Sequence, residues 1–332
     1  MIRVAINGFG RIGRMVFRAG YDEPSIEWVA FNDLTDTKTL ANLLKYDSVH
    51  GRFKGMVDFT PNSLIIDGHE IKVFAERDPQ NLPWKDLNVD VVVESTGFFR
   101  TKELASKHLT AGAKKVLISA PAKGDEPVKT FVRGVNEHDY DKDKFDVISN
   151  ASCTTNCLAP MVKVLNDNFK IKRGFMTTIH SYTGDQKLVD APHKDLRRSR
   201  SAAVNMIPTT TGAAIAVTQV IPELQGKLDG IAIRVPTVNG SVTDFVCELE
   251  QDATKEQIND LFKSVAGHHL KGVLEYTEDP IVSTDIIGNP HSCILDAGLT
   301  RVIEGKFVKV VGWYDNEWGY SNRMIDILKL LL

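Results

Sequence analysis

The sequence predicts an α/β chain of two domains, a parallel sheet built of βαβ units followed by an α+β domain. Three observations carry that prediction. Up to about residue 150, short β-branched runs alternate with amphipathic stretches, which is the pattern of βαβ units. Beyond it the strands lengthen and fewer helices separate them. The 332 residues also exceed what one core usually holds, since single cores stop growing near about 250–300 residues.

In the first half, residues 2–6, 28–31, 89–94, 116–119 and 147–149 read as buried strands, with helical patterns at 14–19, 39–45 and 102–109. Residues 63–74 break the rhythm. There, Leu64-Ile65-Ile66 and Ile71-Lys72-Val73 flank Asp67-Gly68, a hairpin signal expected to be an insertion between βαβ units. In the second half the expected strands are 174–180, 230–235, 241–249, 294–295 and 306–314. Thr254-x-x-Gln257 ahead of Ile258, Leu261 and Phe262 predicts a capping box and a helix. Met324, Ile327, Leu328 and Leu331 recur at helical spacing and predict a closing helix over 320–332. No repeat or low-complexity linker interrupts the chain.

Forty basic residues against 43 acidic ones leave a net charge of -3, so nothing global favours nucleic acid or an anionic membrane. No apolar run nears the ~20 residues of a bilayer span. A strand pattern that starts at Ile2 leaves no room for a signal peptide. Four cysteines, two of them four apart, make no disulfide framework. A reducing cytoplasm is the expected location.

Gly8-Phe9-Gly10-Arg11-Ile12-Gly13 follows the first strand and opens the first helix. Glycine is needed for the tight turn, for close approach of backbone amides to a pyrophosphate, and for helix–strand packing. The helix N-terminus then faces the phosphate charge. Asp33 ends the second strand about 20 residues beyond Gly13. A carboxylate there can accept ribose hydroxyls and repels an added 2′-phosphate, so NAD is the expected cofactor. Ser95-Thr96-Gly97 and Ser119 end further strands and are expected in the same crevice, because ligands bind at the carboxyl ends of parallel strands.

Ala151-Ser152-Cys153-Thr154-Thr155-Asn156-Cys157 lies between a strand and a helical stretch. This places Cys153 at a helix start, where free N–H groups and the dipole favour thiolate and are expected to lower its pKa. The same N–H groups could hold an oxyanion. Cys157, Cys247 and Cys293 read as small buried residues, since no second Cys pair or His cluster has ligand spacing. His180, which ends a strand before a polar loop, is one of nine histidines that could serve the thiol as base.

Asn7-Gly8-Phe9-Gly10-Arg11-Ile12-Gly13, the decapeptide from Ala151 to Pro160, and Trp313-Tyr314-Asp315-Asn316-Glu317 resemble phosphorylating glyceraldehyde-3-phosphate dehydrogenases. The likeness runs from Ile2 to the C-terminal helix. The decapeptide is close to diagnostic, whereas many dehydrogenases share the glycine motif.

The resemblance implies a Rossmann-type doubly wound parallel sheet over residues 1–150 and an α+β catalytic domain with a mixed sheet over 151–315. It further implies that the final helix, 316–332, returns to the first domain and that the enzyme is a homotetramer. It implies Cys153 as nucleophile and His180 as base. Thr183 and Arg234 would hold the C3 phosphate of glyceraldehyde 3-phosphate. Ser152, Thr154, Thr211 and Gly212 would hold attacking inorganic phosphate, with Arg198 near both. Asn316 would fix the nicotinamide amide, with Tyr320 beside it, and Arg77 would lie on the adenosine side.

Erythrose-4-phosphate dehydrogenase, with the same machinery but a free-acid product, is one alternative. Pro208-Thr209-Thr210-Thr211-Gly212 keeps the phosphate-binding pattern and disfavours it. An NAD-bound binding or regulatory protein is another, and the presence of Cys153 and His180 counts against it as the main role. Asp190-Ala191-Pro192 mixes features of the NAD-specific and NADP-using relatives.

Overall fold

The computed structural model describes residues 1–331. The chain divides into two compact units. One comprises Met1–Phe131, Glu137–Ala151 and the chain from Ser321 on, and the other comprises Val132–Asn136 and Ser152–Tyr320.

The first unit contains β1 (Ile2–Asn7), α1 (Arg11–Ala19), β2 (Ile26–Asn32), α2 (Thr37–Lys45), β3 (Val57–Thr60), β4 (Ser63–Ile66), β5 (His69–Phe74), β6 (Val91–Glu94), α3 (Lys102–Thr110), β7 (Lys115–Ile118), β8 (Lys129–Thr130) and β9 (Val147–Ser149). Among the described residues these strands form one nine-stranded sheet in the order β3-β4-β5-β2-β1-β6-β7-β9-β8. β1 pairs in parallel with β2 on one side and β6 on the other. The chain thus reverses its direction of growth at β1, and Asn7, Asn32 and Glu94 end three adjacent strands at one edge. That edge is where open α/β sheets bind ligands. All four residues of β6 are buried, as a parallel sheet covered on both faces requires.

The hairpin is present, with Asp67 and Gly68 both at positive φ (48° and 82°) as a tight two-residue turn demands. It is not an insertion, however. β5 continues as the parallel neighbour of β2, so the segment supplies the third strand of the first half-sheet, and β3 and β4 extend its edge. Helix starts are set locally, since the side chains of Asp36 and Thr101 accept the N–H groups of Thr39 and Leu104.

The second unit contains α4 (Cys153–Phe169), β10 (Ile171–Ser181), β11 (Ile207–Thr210), α5 (Ala213–Val220), β12 (Leu228–Val235), β13 (Ser241–Leu249), α6 (Lys255–Gly267), β14 (Leu274–Thr277), β15 (Cys293–Asp296), β16 (Arg301–Ile303) and β17 (Phe307–Tyr314). α7 (Trp318–Leu330) starts in this unit and ends in the first. The described strands form one eight-stranded sheet. It is mixed, because β10 runs parallel to β12 and antiparallel to β13. β13 alternates buried and half-buried residues along its length, the mark of a sheet with one covered face. Thr254 and Gln257 form the expected capping box of α6. β11 and α5 were not expected. Pro208 argues against a strand, but β11 is an edge strand, where proline is tolerated.

Candidate active site

The second unit builds a compact polar cluster where β10, β12 and α4 meet. Ser152 caps α4, its hydroxyl accepting the Thr155 N–H at 3.1 Å, and Cys153 is the first helical residue. Parallel pairing sets His180 directly beside Arg234. His180 Nε2 lies 3.4 Å from Cys153 Sγ, and the ring is 3 % exposed. Its Nδ1 lies 2.7 Å from the Ser181 carbonyl. A carbonyl only accepts, so Nδ1 carries the proton and Nε2 offers a lone pair to the thiol. Arg234 Nη1 donates to the same carbonyl at 3.1 Å. Its equal distance to Nδ1 is therefore a close approach of two donors and not a bond.

Electrostatics follow from this packing. Burial, helped by the Arg234 charge, pushes His180 down to about 3 against the pull of the Ser181 carbonyl. Burial also pushes the Cys153 thiol up, exceeding the downward pull of Arg234 and of the Thr154 N–H and hydroxyl. The expected lowering of the thiol is thus overturned: the helix start supplies stabilising donors, but desolvation outweighs them. Cys157, Cys247 and Cys293 are buried as expected, and burial raises Cys247 to about 12.

The remaining expected residues fall into distinct settings. Arg234 Nη1 reaches Thr183 Oγ1 at 3.5 Å, and Arg234 Nε is buried without a partner, an orphaned donor suited to an anion. Arg198 is held by Asp185 (2.6 Å), Thr209 (2.9 Å) and the Thr210 carbonyl (3.2 Å). Thr211 and Gly212 precede α5, where the Thr211 hydroxyl accepts the Ala213 N–H. The Thr154 hydroxyl is engaged by Tyr314, which also bonds Thr178, and the Ser152 hydroxyl caps α4. Asn316 accepts both the Ser181 and Ser241 hydroxyls through Oδ1, which turns its NH₂ the other way. Tyr320 is buried in the first turn of α7. Among the described residues no cluster has metal-ligand geometry, and no helix is long and apolar enough to cross a membrane.

The first unit holds a cleft of about 490 Å³ lined by Gly8, Gly10, Asp33, Arg77, Ser95 and Thr96, together with Asn7, Asn32, Leu34, Glu76, Phe98 and Phe99. The glycines fit a dinucleotide. A Cβ on Gly13 would fall 2.2 Å from the Gly8 carbonyl oxygen, and one on Gly8 would fall 2.7 Å from the Thr96 nitrogen. One on Gly10 would meet open space, which leaves that face of the turn free for a phosphate. Asp33 accepts the Phe9 N–H at 2.9 Å, tying the turn to the end of β2. Arg11 is paired with Asp47, so it braces the loop. Ile12 is half-buried, Gly97 takes a positive φ of 77°, and the Ser119 N–H bonds the Glu94 carbonyl. The sequence did not single out the lining residues Asn7, Asn32, Leu34, Glu76, Phe98 and Phe99, although the rule that picked Ser95 applies equally to Asn7 and Asn32 at the ends of β1 and β2.

Residues 2–102 match the family model for the glyceraldehyde 3-phosphate dehydrogenase NAD binding domain, and residues 152–316 match that for the C-terminal domain. The chain is 62% identical to a glyceraldehyde-3-phosphate dehydrogenase of Thermotoga maritima, over 100% of this chain and 99% of the relative. It is 60% identical to those of Streptomyces coelicolor and Geobacillus stearothermophilus, each over 98% of this chain and 97% of the relative. Two domain matches and full-length identity of this order leave one assignment: the chain belongs to the glyceraldehyde-3-phosphate dehydrogenase family.

Proposed function

We propose that this chain oxidises glyceraldehyde 3-phosphate with NAD and inorganic phosphate to 1,3-bisphosphoglycerate through a thioester on Cys153. The observation that carries this is the 3.4 Å approach of Cys153 Sγ to the unprotonated Nε2 of His180. As sulfur bonds to the aldehyde carbon, His180 takes the thiol proton and returns it to the developing alkoxide, giving a thiohemiacetal. Arg234 and Thr183 hold the C3 phosphate, the arginine through its orphaned Nε. His180 then removes the hydroxyl proton as C1 loses its hydrogen with the bonding electrons, leaving the thioester. NAD, bound at the glycine turn and Asp33, supplies the acceptor for those two electrons and that hydrogen. Asn316, its amide oriented by Ser181 and Ser241, would hold the nicotinamide amide. Inorganic phosphate, held near Thr211, Gly212 and Arg198, attacks the thioester carbon and releases the thiolate, which His180 reprotonates.

Residues 1–150 and 151–315 are read as the NAD-binding and catalytic domains. A homotetramer is the proposed assembly. Its support is the apolar outer face of the second sheet, where Leu299, Ile303 and Phe307 are 40–59% exposed around a cavity of about 540 Å³, a surface that calls for cover. Four free cysteines suit a reducing cytoplasm.

Absorbance of NADH formed from glyceraldehyde 3-phosphate tests the reading. Product must require inorganic phosphate. Equal turnover without phosphate, or faster turnover of erythrose 4-phosphate, would replace it with the free-acid reaction.

A further inference from the structure

Glu94, the last residue of β6, is 1 % exposed, and the chemistry above makes no use of it. Each of its carboxylate oxygens faces two donors. Oε1 accepts the Thr96 N–H at 2.8 Å and the Thr96 hydroxyl. Oε2 accepts the Asn7 amide at 2.6 Å and faces His108 Nε2 at 3.1 Å. His108 is fully buried, and the Trp84 indole N–H points at its Nδ1 from 3.0 Å. An indole nitrogen only donates, so Nδ1 is the lone-pair nitrogen and Nε2 carries its proton toward Glu94. The 3.3 Å approach of Asn7 Nδ2 to His108 Nε2 is then two donors sharing one oxygen.

The chain of bonds continues from Asn7. Its Oδ1 accepts from Asn32 at 2.7 Å, and the Asn32 amide pairs both ways with the Glu76 main chain, at 2.9 and 2.8 Å. Asn7, Asn32, Glu76 and Thr96 all line the cleft, on four separate segments that one carboxylate fastens together. The Thr96 main chain also backs Gly8, where it leaves no room for a Cβ.

We propose that Glu94, with its hydrogen-bond polarity locked by His108 and Trp84, is a positioning residue that fixes the spacing of the strand ends for dinucleotide binding. This rests on the NAD reading above. The negative charge itself opposes an incoming pyrophosphate, so the contribution of Glu94 is geometric. All four partners donate, and only an ionised carboxylate accepts four donors. Glutamine has the same shape but must turn an NH₂ toward Thr96 or toward the Asn7–His108 pair. Either way a donor meets a donor in a sealed site.

Glu94→Gln and Trp84→Phe, the latter keeping a ring while deleting the indole N–H, test this against the parent. The readouts are the NAD dissociation constant by calorimetry, kcat at saturating NAD, and the rate of Cys153 alkylation by iodoacetamide without NAD. Positioning predicts a Kd raised about tenfold or more in Glu94→Gln and by a smaller factor in Trp84→Phe, with kcat and alkylation unchanged. An unchanged Kd in both variants overturns the proposal, as does an equal loss in all three readouts, which would mark general loosening. A parent that binds no NAD overturns the cofactor reading instead. If Glu94→Gln does not fold, Trp84→Phe decides alone, and an unchanged Kd there refutes the lock.

Discussion

Cys153 Sγ and His180 Nε2 stand 3.4 Å apart because β10 delivers its last residues to the first turn of α4. His180→Asn removes the lone pair that faces the thiol. Hydride transfer in a single turnover should slow by about 10²–10⁴, the usual range for a positioned base. Cys153→Ser should abolish it with the NAD Kd unchanged. Unaltered single-turnover rates in His180→Asn would remove that residue from the mechanism.

Arg234 acts on two neighbours at once. Its orphaned Nε suits the substrate phosphate, and its charge helps hold His180 down. Arg234→Leu should raise KM for glyceraldehyde 3-phosphate about tenfold to a hundredfold, since a charge-assisted bond contributes about 1.5–3 kcal/mol. It should also move the acid limb of the pH–rate profile upward, because a cation that disfavours imidazolium is gone. Thr211→Ala should instead raise KM for inorganic phosphate. Wild-type saturation by the aldehyde in Arg234→Leu would refute the arginine's role.

Cofactor preference centres on Asp33. A 2′-phosphate against its carboxylate would meet like charge at a half-buried site. NAD should be preferred over NADP on kcat/KM by about tenfold or more. Asp33→Gly should narrow that gap and raise KM for NAD too, because Asp33 also accepts the Phe9 N–H of the glycine turn. Adding Pro192→Ser should narrow it further. Better turnover with NADP in the parent would overturn the preference.

Asp47 gives a stability prediction. Burial would raise its carboxyl, but the Arg11 ion pair and the His50 and Val49 N–H groups hold it at about 2. A folded pKa below the unfolded value of 3.8 stabilises the fold above about pH 4, and that stabilisation is lost as pH falls toward 2. The shift corresponds to about 2 kcal/mol. Asp47→Asn should therefore lower the thermal midpoint at pH 7, and the difference from the parent should shrink on acidification. A difference independent of pH would count against the ion pair as its source.

The features legible in the sequence were those whose cause is local. The glycine turn, Asp33 and the cysteine at a helix start each follow from a short run of residues. The pairing of His180 with Arg234 does not, since it depends on parallel register between strands 54 residues apart. Nor does the raised thiol of Cys153, because burial belongs to the packed chain while the helix dipole can be read from a strand-to-helix junction. β5 looked like part of an insertion because its hairpin turn is a strong local signal, whereas its bonds to β2 are long-range. Glu94 drew no attention as the polar end of a hydrophobic strand, its four donors coming from Asn7, Thr96 and His108.

His180 and His108 each have their tautomer set by the group facing Nδ1, with opposite results: His180 is protonated at Nδ1 and His108 at Nε2. A main-chain carbonyl holds His180, and an indole side chain holds His108. Every amino acid carries a carbonyl, so no single codon change at position 181 can delete the group that sets the tautomer of His180. At position 84 almost any missense change would. The reacting histidine is thus genetically insulated, while the histidine behind the cofactor cleft stays open to inherited variation. Drift in this protein should therefore tune how tightly it holds its dinucleotide more readily than how it moves its proton.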